Sequence, residues 1–318
     1  MGNVKLPEAL PNFKVALGSK KTNEYLDAYA AELRRLKMTR EVNIKAIGVW
    51  DTVGSLGLPV QPWLQEFGMP TTLHNYRFFD TGIDDHVENA FHVLALDEHR
   101  SAFSPAVWSK EDNGTTNLKQ VWVPGVHSNC GGGTEDTAVS DICLAWMMDQ
   151  LSSLGEDSLE FNPDYLREQA NATRKAYEDR GETWRWGLGR LNNSMKFPTN
   201  LAGSIIRTPL DYHVTDYNSG RALPDKLKNT HELMHPCVRA RYELDPRGKS
   251  WDGRSNYDSD ALKDKWEITP KGKEADGKPK FWQSVDKKRQ LAEEKLGFYE
   301  NILLDMDQAT KIALYGSK

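Results

Sequence analysis

The amino-acid sequence predicts an α/β fold, in which parallel strands form a sheet and helices flank it. Two segments carry most of this prediction: residues 44–57 (IKAIGVWDTVGSLG) and residues 121–133 (VWVPGVHSNCGGG). Each is an apolar run that ends abruptly in a polar loop containing glycine, which is typical of a buried parallel strand and the turn after it. Segments with helical periodicity alternate with these strands, and this rhythm favours βαβ units.

The first predicted helix and strand precede Asp51. Over residues 22–37 the apolar side chains recur at intervals of three or four residues, which is the spacing of an amphipathic helix. Thr22 or Asn23 can cap its first turn. Residues 42–50 then form a nearly continuous apolar run, which predicts a strand buried on both faces of a parallel sheet.

A second strand and a second helix are predicted in the region after Asp51. Residues 75–81 (NYRFFDT) are the strand candidate. Asp84 and Asp85 can cap a helix that ends near Arg100. Its apolar face would consist of Val87, Ala90, Phe91 and Leu94.

A third strand and a third helix follow. Residues 119–124 predict the strand, and the loop after it carries His127. The glycines at 131–133 lead into a helix over residues 135–154. Its buried stripe would comprise Val139, Cys143, Trp146, Met147 and Leu151.

Beyond residue 155 the periodic signal is weaker. Helices are predicted over residues 163–179 and 282–315. Residues 245–280 are rich in Gly, Lys and Asp, which predicts a loop or a partly ordered linker.

Composition narrows the class of protein. The 318 residues have a net charge of −5 with dispersed basic residues, which argues against a nucleic-acid partner. No apolar stretch approaches the roughly 18 residues of a membrane-spanning helix. The N-terminus has no secretory apolar core, and Leu6 stands where a myristoylation signal requires Ser or Thr. Three cysteines without a CxxC pair predict a reduced, cytoplasmic protein.

Asp51 and His127 are the candidate catalytic residues. Asp51 follows a predicted strand, at the sheet edge where α/β proteins assemble their sites. His127 lies in the loop of a later strand, and a neutral imidazole is the commonest general base near neutral pH. An acid followed by a histidine matches the later part of a Ser…Asp…His hydrolase order. The alternatives are a turn-capping Asp51 and a hydrogen-bonded structural His127.

The loop after His127 offers two weaker candidates. The glycines at 131–133 expose backbone N–H groups that could hold an anion. However, Glu135 and Asp136 place negative charge at the helix start and favour a tight-turn role for the glycines. Cys130 lies three residues from His127, but catalytic Cys–His pairs usually come from distant segments, which favours a buried or incidental thiol.

The other histidines do not predict a metal site. His86, His92 and His99 are spaced by six and seven residues, which scatters them around a helix, and no HExxH pattern occurs. His231 and His235 are four residues apart, but the proline that follows would end a helix there, which favours a structural role. We therefore expect neither a metal nor a cofactor.

A serine nucleophile is missing from the predicted site. The Gly-x-Ser-x-Gly turn that such a hydrolase needs does not occur in the sequence. The nearest string, GRSNY at residues 253–257, lacks the final glycine, follows no apolar strand and comes after His127. Only 50 residues precede Asp51, which leaves room for one helix and one strand.

Three motifs in order suggest a family: GVWDTVGSLG, then ALDEHRSAF at residues 95–103, then WVPGVHSNCGGG. They resemble an uncharacterised α/β-hydrolase family of fungi and bacteria that is related to the catalytic domain of type VI secretion phospholipase effectors. The resemblance covers residues 44–154 and extends, with weaker motifs, to residues 235–239. It implies a Ser-Asp-His esterase or lipase, with Asp51 as the triad acid and His127 as the base, and lipid or acyl-ester substrates. The serine motif of the family, Gly-Phe-Ser-Arg-Gly, has no matching position.

The resemblance implies a partial α/β-hydrolase-type sheet, followed by a mostly helical and loop-rich C-terminal region. Residues 1–155 would be the C-terminal half of the hydrolase-like domain, and residues 156–318 an extension of the same domain. Without the serine we expect the chain to be inactive alone and to represent a truncated gene model, a fragment or a degenerate paralogue. The alternatives are a non-catalytic interaction protein and one half of a split enzyme, whose partner chain would supply the rest of the sheet.

Overall fold

The computed structural model describes residues 20–40, 42–54, 82–83, 85–195, 203–215, 222–244, 257–269 and 280–316. Within them, no helix is long and apolar enough to cross a membrane. In chain order the elements are α1 (Lys20–Arg35), β1 (Ile47–Trp50), β2 (Asn89–Ala95), β3 (Asn117–Val123), α2 (His127–Gly131), α3 (Ala138–Leu151), α4 (Pro163–Asp179), β4 (His213–Thr215), β5 (Ala222–Lys226), β6 (Glu232–Met234), α5 (Pro236–Leu244), β7 (Trp266–Thr269), β8 (Phe281–Ser284), β9 (Gln290–Ala292), α6 (Phe298–Asp305) and α7 (Gln308–Tyr315).

A four-stranded parallel sheet is the centre of the fold. Its strand order is β1-β2-β3-β6, and every neighbouring pair is parallel. One row across the sheet joins Val49, His92, Gln120 and Glu232. The predicted α/β class with a parallel sheet and flanking helices is therefore confirmed.

The main core lies where α3 packs against the sheet. The rings of Phe91 on β2 and Trp146 on α3 meet edge to face, with centroids 6.3 Å apart. The carboxylate of Asp149, also on α3, accepts the backbone N–H groups of Tyr299 and Glu300, each at 2.9 Å. These two bonds satisfy free N–H groups in the first turn of α6, so α3 holds both the sheet and this later helix.

The predicted strand before Asp51 is shorter and more exposed than expected. Only Ile47–Trp50 form β1, which pairs with β2 alone among the described strands. Trp50 is 37% exposed, and Val42 and Ile44 are exposed as well. The expectation of burial on both faces was wrong because this apolar run lies at an edge of the described sheet.

The predicted helix ending near Arg100 was also wrong, because residues 89–95 form β2, one of the two inner strands of the sheet. Six of its seven residues are buried, since the sheet is covered on both faces at this point. A continuous apolar run contains the i, i+3, i+4 spacing of a helix by default, so periodicity alone could not separate the two structures. The strand candidate at residues 75–81 lies outside the described residues.

The C-terminal region contains strands that the sequence did not predict. The expected helix over residues 282–315 begins instead with β8 and β9, and helical structure starts only at Phe298. Together with β7 they form an antiparallel sheet, and β4 pairs with β5 in another. Trp282 and Leu291 are buried between more exposed neighbours, which is the period of a strand.

Part of the predicted linker over residues 245–280 is ordered, and the remainder lies outside the described residues. The described part is residue 280 together with residues 257–269, which include β7 and several buried side chains. The helices predicted over residues 22–37, 135–154 and 163–179 are confirmed as α1, α3 and α4. The strand predicted over residues 119–124 is confirmed as β3.

Candidate active site

Three adjacent parallel strands end at the same edge of the sheet, and each is followed by polar residues. Asp51 comes directly after β1, Asp97 and Glu98 follow β2, and His127 follows β3. Parallel strands place these carboxyl ends side by side, where open α/β sheets bind their ligands.

Asp51 and His127 are brought into direct contact. Nδ1 of His127 lies 2.9 Å from Oδ2 of Asp51. Since this carboxylate is an acceptor, Nδ1 carries the proton and Nε2 presents a lone pair. The Asp51 side chain is buried, whereas 35% of the His127 side chain is exposed. Within the described part of the chain, no hydrogen-bond partner of Nε2 is found.

The carboxylate of Asp51 receives four hydrogen bonds. Oδ1 accepts the backbone N–H of Ala95 at 2.9 Å and Nη1 of Arg207. Oδ2 accepts Nδ1 of His127 and, also at 2.9 Å, Nη2 of Arg207. Burial alone would raise the pKa of Asp51, but the charge of Arg207 and these hydrogen bonds hold it well below its ordinary value. Asp51 is therefore ionised at neutral pH.

The backbone at Asp51 is held in a left-handed turn. Its φ is +46°, a region that non-glycine residues adopt only at a cost. The N–H of Asp51 donates to the carbonyl of Val93 at 2.7 Å, and the N–H of Thr52 donates to Nε2 of His92 at 3.1 Å. These two bonds to β2 fix the turn that points the carboxylate at His127.

His92 is a buried neutral imidazole. Because Nε2 accepts from a backbone N–H, its proton is on Nδ1, which lies 3.2 Å from Oε1 of Gln120. Burial lowers the pKa of His92 to about 4. Gln120 in turn bonds the backbone N–H and carbonyl of Trp108, each at 2.8 Å. This network of neutral groups holds the turn at Asp51 through Thr52 and adds no charge to the site.

Glu98, Arg100 and Phe103 surround His127 on the side of β2. Glu98 accepts the backbone N–H of His127 at 3.3 Å, and Arg100 donates to the same carboxylate from Nε and Nη2. Burial would raise the pKa of Glu98, but Arg100 lowers it below its ordinary value. The ring of Phe103 meets the imidazole of His127 edge to face, with centroids 5.0 Å apart, and the guanidinium of Arg100 lies over the Phe103 ring, 3.5 Å from its centroid.

A tight turn delivers His127 to the first position of α2. Gly125 has φ +96°, and a Cβ at this position would lie 2.8 Å from Oδ1 of Asn129, so a glycine is required. Its N–H donates to Asp97 at 2.6 Å, which ties the loop to the end of β2. Among the glycines at 131–133, Gly132 and Gly133 also have positive φ, at the turn before α3.

The remaining residues singled out in the sequence lie apart from this contact. Cys130 is buried with its Sγ 3.7 Å from the carbonyl of Val93, and burial raises the pKa of its thiol. His231 and His235 do not share a helix, because β6 lies between them. His235 is completely buried and its Nε2 lies 2.5 Å from Oε1 of Glu300. Residues 253–256 are outside the described structure.

Among the described residues, no cluster of three or more His, Cys, Asp and Glu side chains is arranged to hold a metal ion. The side chains around Asp51 instead form hydrogen-bonded pairs with each other and with the backbone.

Sequence reasoning missed Arg207, His92 and Glu98 as parts of this site. Glu98 lies inside the motif ALDEHRSAF, so a signal for it was present. Arg207 comes 156 positions after Asp51 in a segment without periodicity, and nothing near it in the sequence indicated a buried guanidinium.

Comparison with protein families identifies a related domain. Residues 9–150 match the family model described as "T6SS, Phospholipase effector Tle1-like, catalytic domain". The relation to the catalytic domain of type VI secretion phospholipase effectors is thereby confirmed over these residues, which include Asp51, Glu98 and His127. Arg207 and the rest of the chain lie outside the match. No curated protein and no solved structure gave a significant match.

Proposed function

We propose that Asp51 and His127 are the acid and the base of a serine carboxylic ester hydrolase that acts on lipid esters, as a phospholipase does. The observation that carries this proposal is the Asp51–His127 hydrogen bond, which leaves Nε2 of His127 without a partner among the described residues. Its position at the carboxyl ends of parallel strands, within a segment that matches a phospholipase catalytic domain, supports the same function.

The pair can perform the proton transfers of acyl-ester cleavage. Nε2 of His127 takes the proton of a serine hydroxyl as the serine oxygen attacks the acyl carbonyl, and Asp51 stabilises the imidazolium that forms. His127 then returns the proton to the leaving alcohol. Water, activated by the same nitrogen, hydrolyses the acyl-serine and releases the fatty acid.

The nucleophile in this proposal comes from a segment other than those described. The sequence has no Gly-x-Ser-x-Gly turn, and none of the described serine, threonine or cysteine side chains bonds Nε2 of His127. Among the described strands, β1 pairs with β2 alone and Trp50 is 37% exposed, so the other side of β1 is the described sheet edge nearest Asp51 at which a further strand could pair. We infer that a strand there, from the same reading frame or from a partner chain, carries the serine.

The first test uses the chain as it is. We expect the purified 318-residue chain neither to turn over p-nitrophenyl butyrate or phosphatidylcholine vesicles nor to react with a fluorophosphonate probe. Turnover that His127→Ala abolishes would show that the nucleophile lies within this chain, and would overturn that part of the proposal.

The second test adds the segment that the proposal requires. The genomic frame upstream of Met1, or a co-purifying partner, is expressed together with the chain, and vesicle hydrolysis is measured. We expect activity that falls by about 10⁴-fold in His127→Ala and Asp51→Ala. His213→Ala, in β4 outside the matched segment, is the control and should leave the rate unchanged. Activity that survives His127→Ala would remove His127 from the mechanism.

A further inference from the structure

Arg207 bonds two residues that contact His127: it binds the side-chain carboxylate of Asp51 and the backbone carbonyl of Phe103. One guanidinium nitrogen, Nη1, donates to Oδ1 of Asp51 and to the carbonyl of Ala95, the latter at 2.6 Å. The other, Nη2, donates to Oδ2 of Asp51 at 2.9 Å and to the carbonyl of Phe103 at 2.8 Å. The same side chain thus ties together the hydrogen-bond partner and the ring-packing partner of His127.

The geometry points to Arg207 as the positioning residue of the Asp51–His127 pair, which orients the carboxylate so that His127 keeps its proton on Nδ1 and its lone pair on Nε2. The chemical purpose of this role rests on the proposed function. The evidence for the role is a set of contacts that exist whether or not the chain catalyses a reaction.

The hydrogen-bond count supports this role. An ionised carboxylate has about four lone-pair sites, and Asp51 uses one for His127, one for Ala95 and two for Arg207. A planar fork that fills two sites leaves the carboxylate no freedom to rotate away from His127. Without Arg207, the carboxylate could turn about its Cβ–Cγ bond and meet the imidazole in other geometries.

The charged groups near His127 are arranged in pairs, and this arrangement also supports the role of Arg207. The two carboxylates that bond His127 are each paired with an arginine, Asp51 with Arg207 and Glu98 with Arg100. The remaining nearby imidazole, His92, is held in its neutral form by burial and its two neutral partners. Arg207 is buried with 2% exposure, so no solvent ion can replace its charge.

The test is the tautomer of His127, read from its ¹⁵N imidazole shifts at pH 9 in the 318-residue chain. The wild-type chain should show the Nδ1–H form, with the assignment confirmed by loss of the signals in His127→Gln. In Arg207→Lys, which keeps the charge but cannot form the fork, the ratio of tautomers should shift about tenfold toward Nε2–H, the effect of one charge-assisted hydrogen bond. Arg207→Met should shift it further and raise the pKa of Asp51, followed by its carboxyl ¹³C signal.

Arg239→Lys is the matched control. Arg239 is also buried with 2% exposure and pairs with Glu293 at 2.8 Å, so its replacement should lower stability without changing the His127 tautomer. If Arg207→Met does not fold, Arg207→Lys decides. An unchanged tautomer ratio in folded Arg207→Lys would overturn the inference. Because no ester turnover is measured, that result would leave the proposed function standing, and an inactive chain would leave the inference standing.

Discussion

Two carboxylate–imidazole pairs in this chain have similar local chemistry and very different surroundings. Asp51 and His127 meet at 2.9 Å, and Glu300 and His235 meet at 2.5 Å. The first histidine side chain is 35% exposed, whereas the second is completely buried. The contact between an acid and an imidazole therefore does not by itself distinguish the proposed catalytic pair from a structural one.

The second ring nitrogen makes the difference. In His235, Nδ1 accepts the backbone N–H of Cys237 at 3.1 Å while Nε2 donates to Glu300, so both nitrogens are committed. In His127, Nδ1 alone is committed to a described partner. A general base needs a free lone pair within reach of a substrate, and among the described residues His127 has one whereas His235 does not.

The largest effect that we expect is a difference in the free energy of unfolding between variants of the two histidines, and it tests the comparison directly. His235→Ala leaves the buried carboxylate of Glu300 without its side-chain partner, so the free energy of unfolding should fall by about 3–5 kcal/mol. His127→Ala should lower it by about 1 kcal/mol or less, because Asp51 keeps three of its four hydrogen bonds. Urea unfolding followed by tryptophan fluorescence measures both values.

The two variants control each other, since each removes one imidazole and leaves the same methyl group. Equal losses of stability would mean that His127 is as structural as His235. The distinction drawn from the second ring nitrogen would then fail.

A third histidine, His92, extends the comparison to the pH dependence of the free energy of unfolding. His92 is as buried as His235 but has an amide partner instead of a carboxylate. Its pKa is lowered by burial from 6.5 to about 4, so below pH 6.5 the unfolded state takes up a proton that the folded state refuses. Its stabilising effect is fully present above pH 6.5 and is lost as the pH falls to about 4, an effect of about 3 kcal/mol.

This pH dependence is measured as the free energy of unfolding at pH 7.5 and pH 4.5. We expect the difference between the two pH values to shrink in His92→Gln and to persist in His127→Ala. A wild-type-sized difference in His92→Gln would show that His92 takes up its proton as readily in the folded chain as in the unfolded one, contrary to its hydrogen bonds with Thr52 and Gln120.

The contact between Asp51 and His127 could be predicted from the sequence, but the residues that hold it in place, Arg207 and His92, could not. Two polar loops after apolar strands were enough to place Asp51 and His127 at one edge of a parallel sheet. Arg207 acts through a contact 156 positions away, and such a long-range ion pair leaves no local pattern. His92 was assigned to a helix because the apolar run around it satisfies helical and strand spacing equally.

The structural pair was only half predictable for a similar reason. The proline after His235 favoured a structural role over a metal site, which stays a prediction, and the carboxylate that contacts His235 belongs to Glu300, 65 positions away. It was placed within one long helix over residues 282–315, whereas Glu300 belongs to the short helix α6. Antiparallel pairing of β8 with β7 overrode the helical pattern at the start of that segment.

The smallest effect that we expect is on the free energy of unfolding of two glycine variants, which compare the backbone packing beside the two pairs. A Cβ added at Gly297 would lie 2.2 Å from Cγ of Asp149, the carboxylate that binds the first turn of α6 and so positions Glu300. Gly297→Ala must displace one of them and should lower the free energy of unfolding by about 1–3 kcal/mol. Gly131 ends α2 after His127, and apart from its chain neighbours and the backbone of its own helix, no heavy atom of the described residues lies within 4 Å of a Cβ placed there.

Gly131→Ala is therefore the matched variant and should change stability by less than about 0.5 kcal/mol. Thermal unfolding of the two variants measures the contrast. If Gly131→Ala costs as much as Gly297→Ala, the loop after His127 is packed as tightly as the neighbourhood of Glu300. Looser backbone packing would then no longer distinguish His127 from His235. The difference between the two histidines would rest on the Nε2 atom of His127 alone.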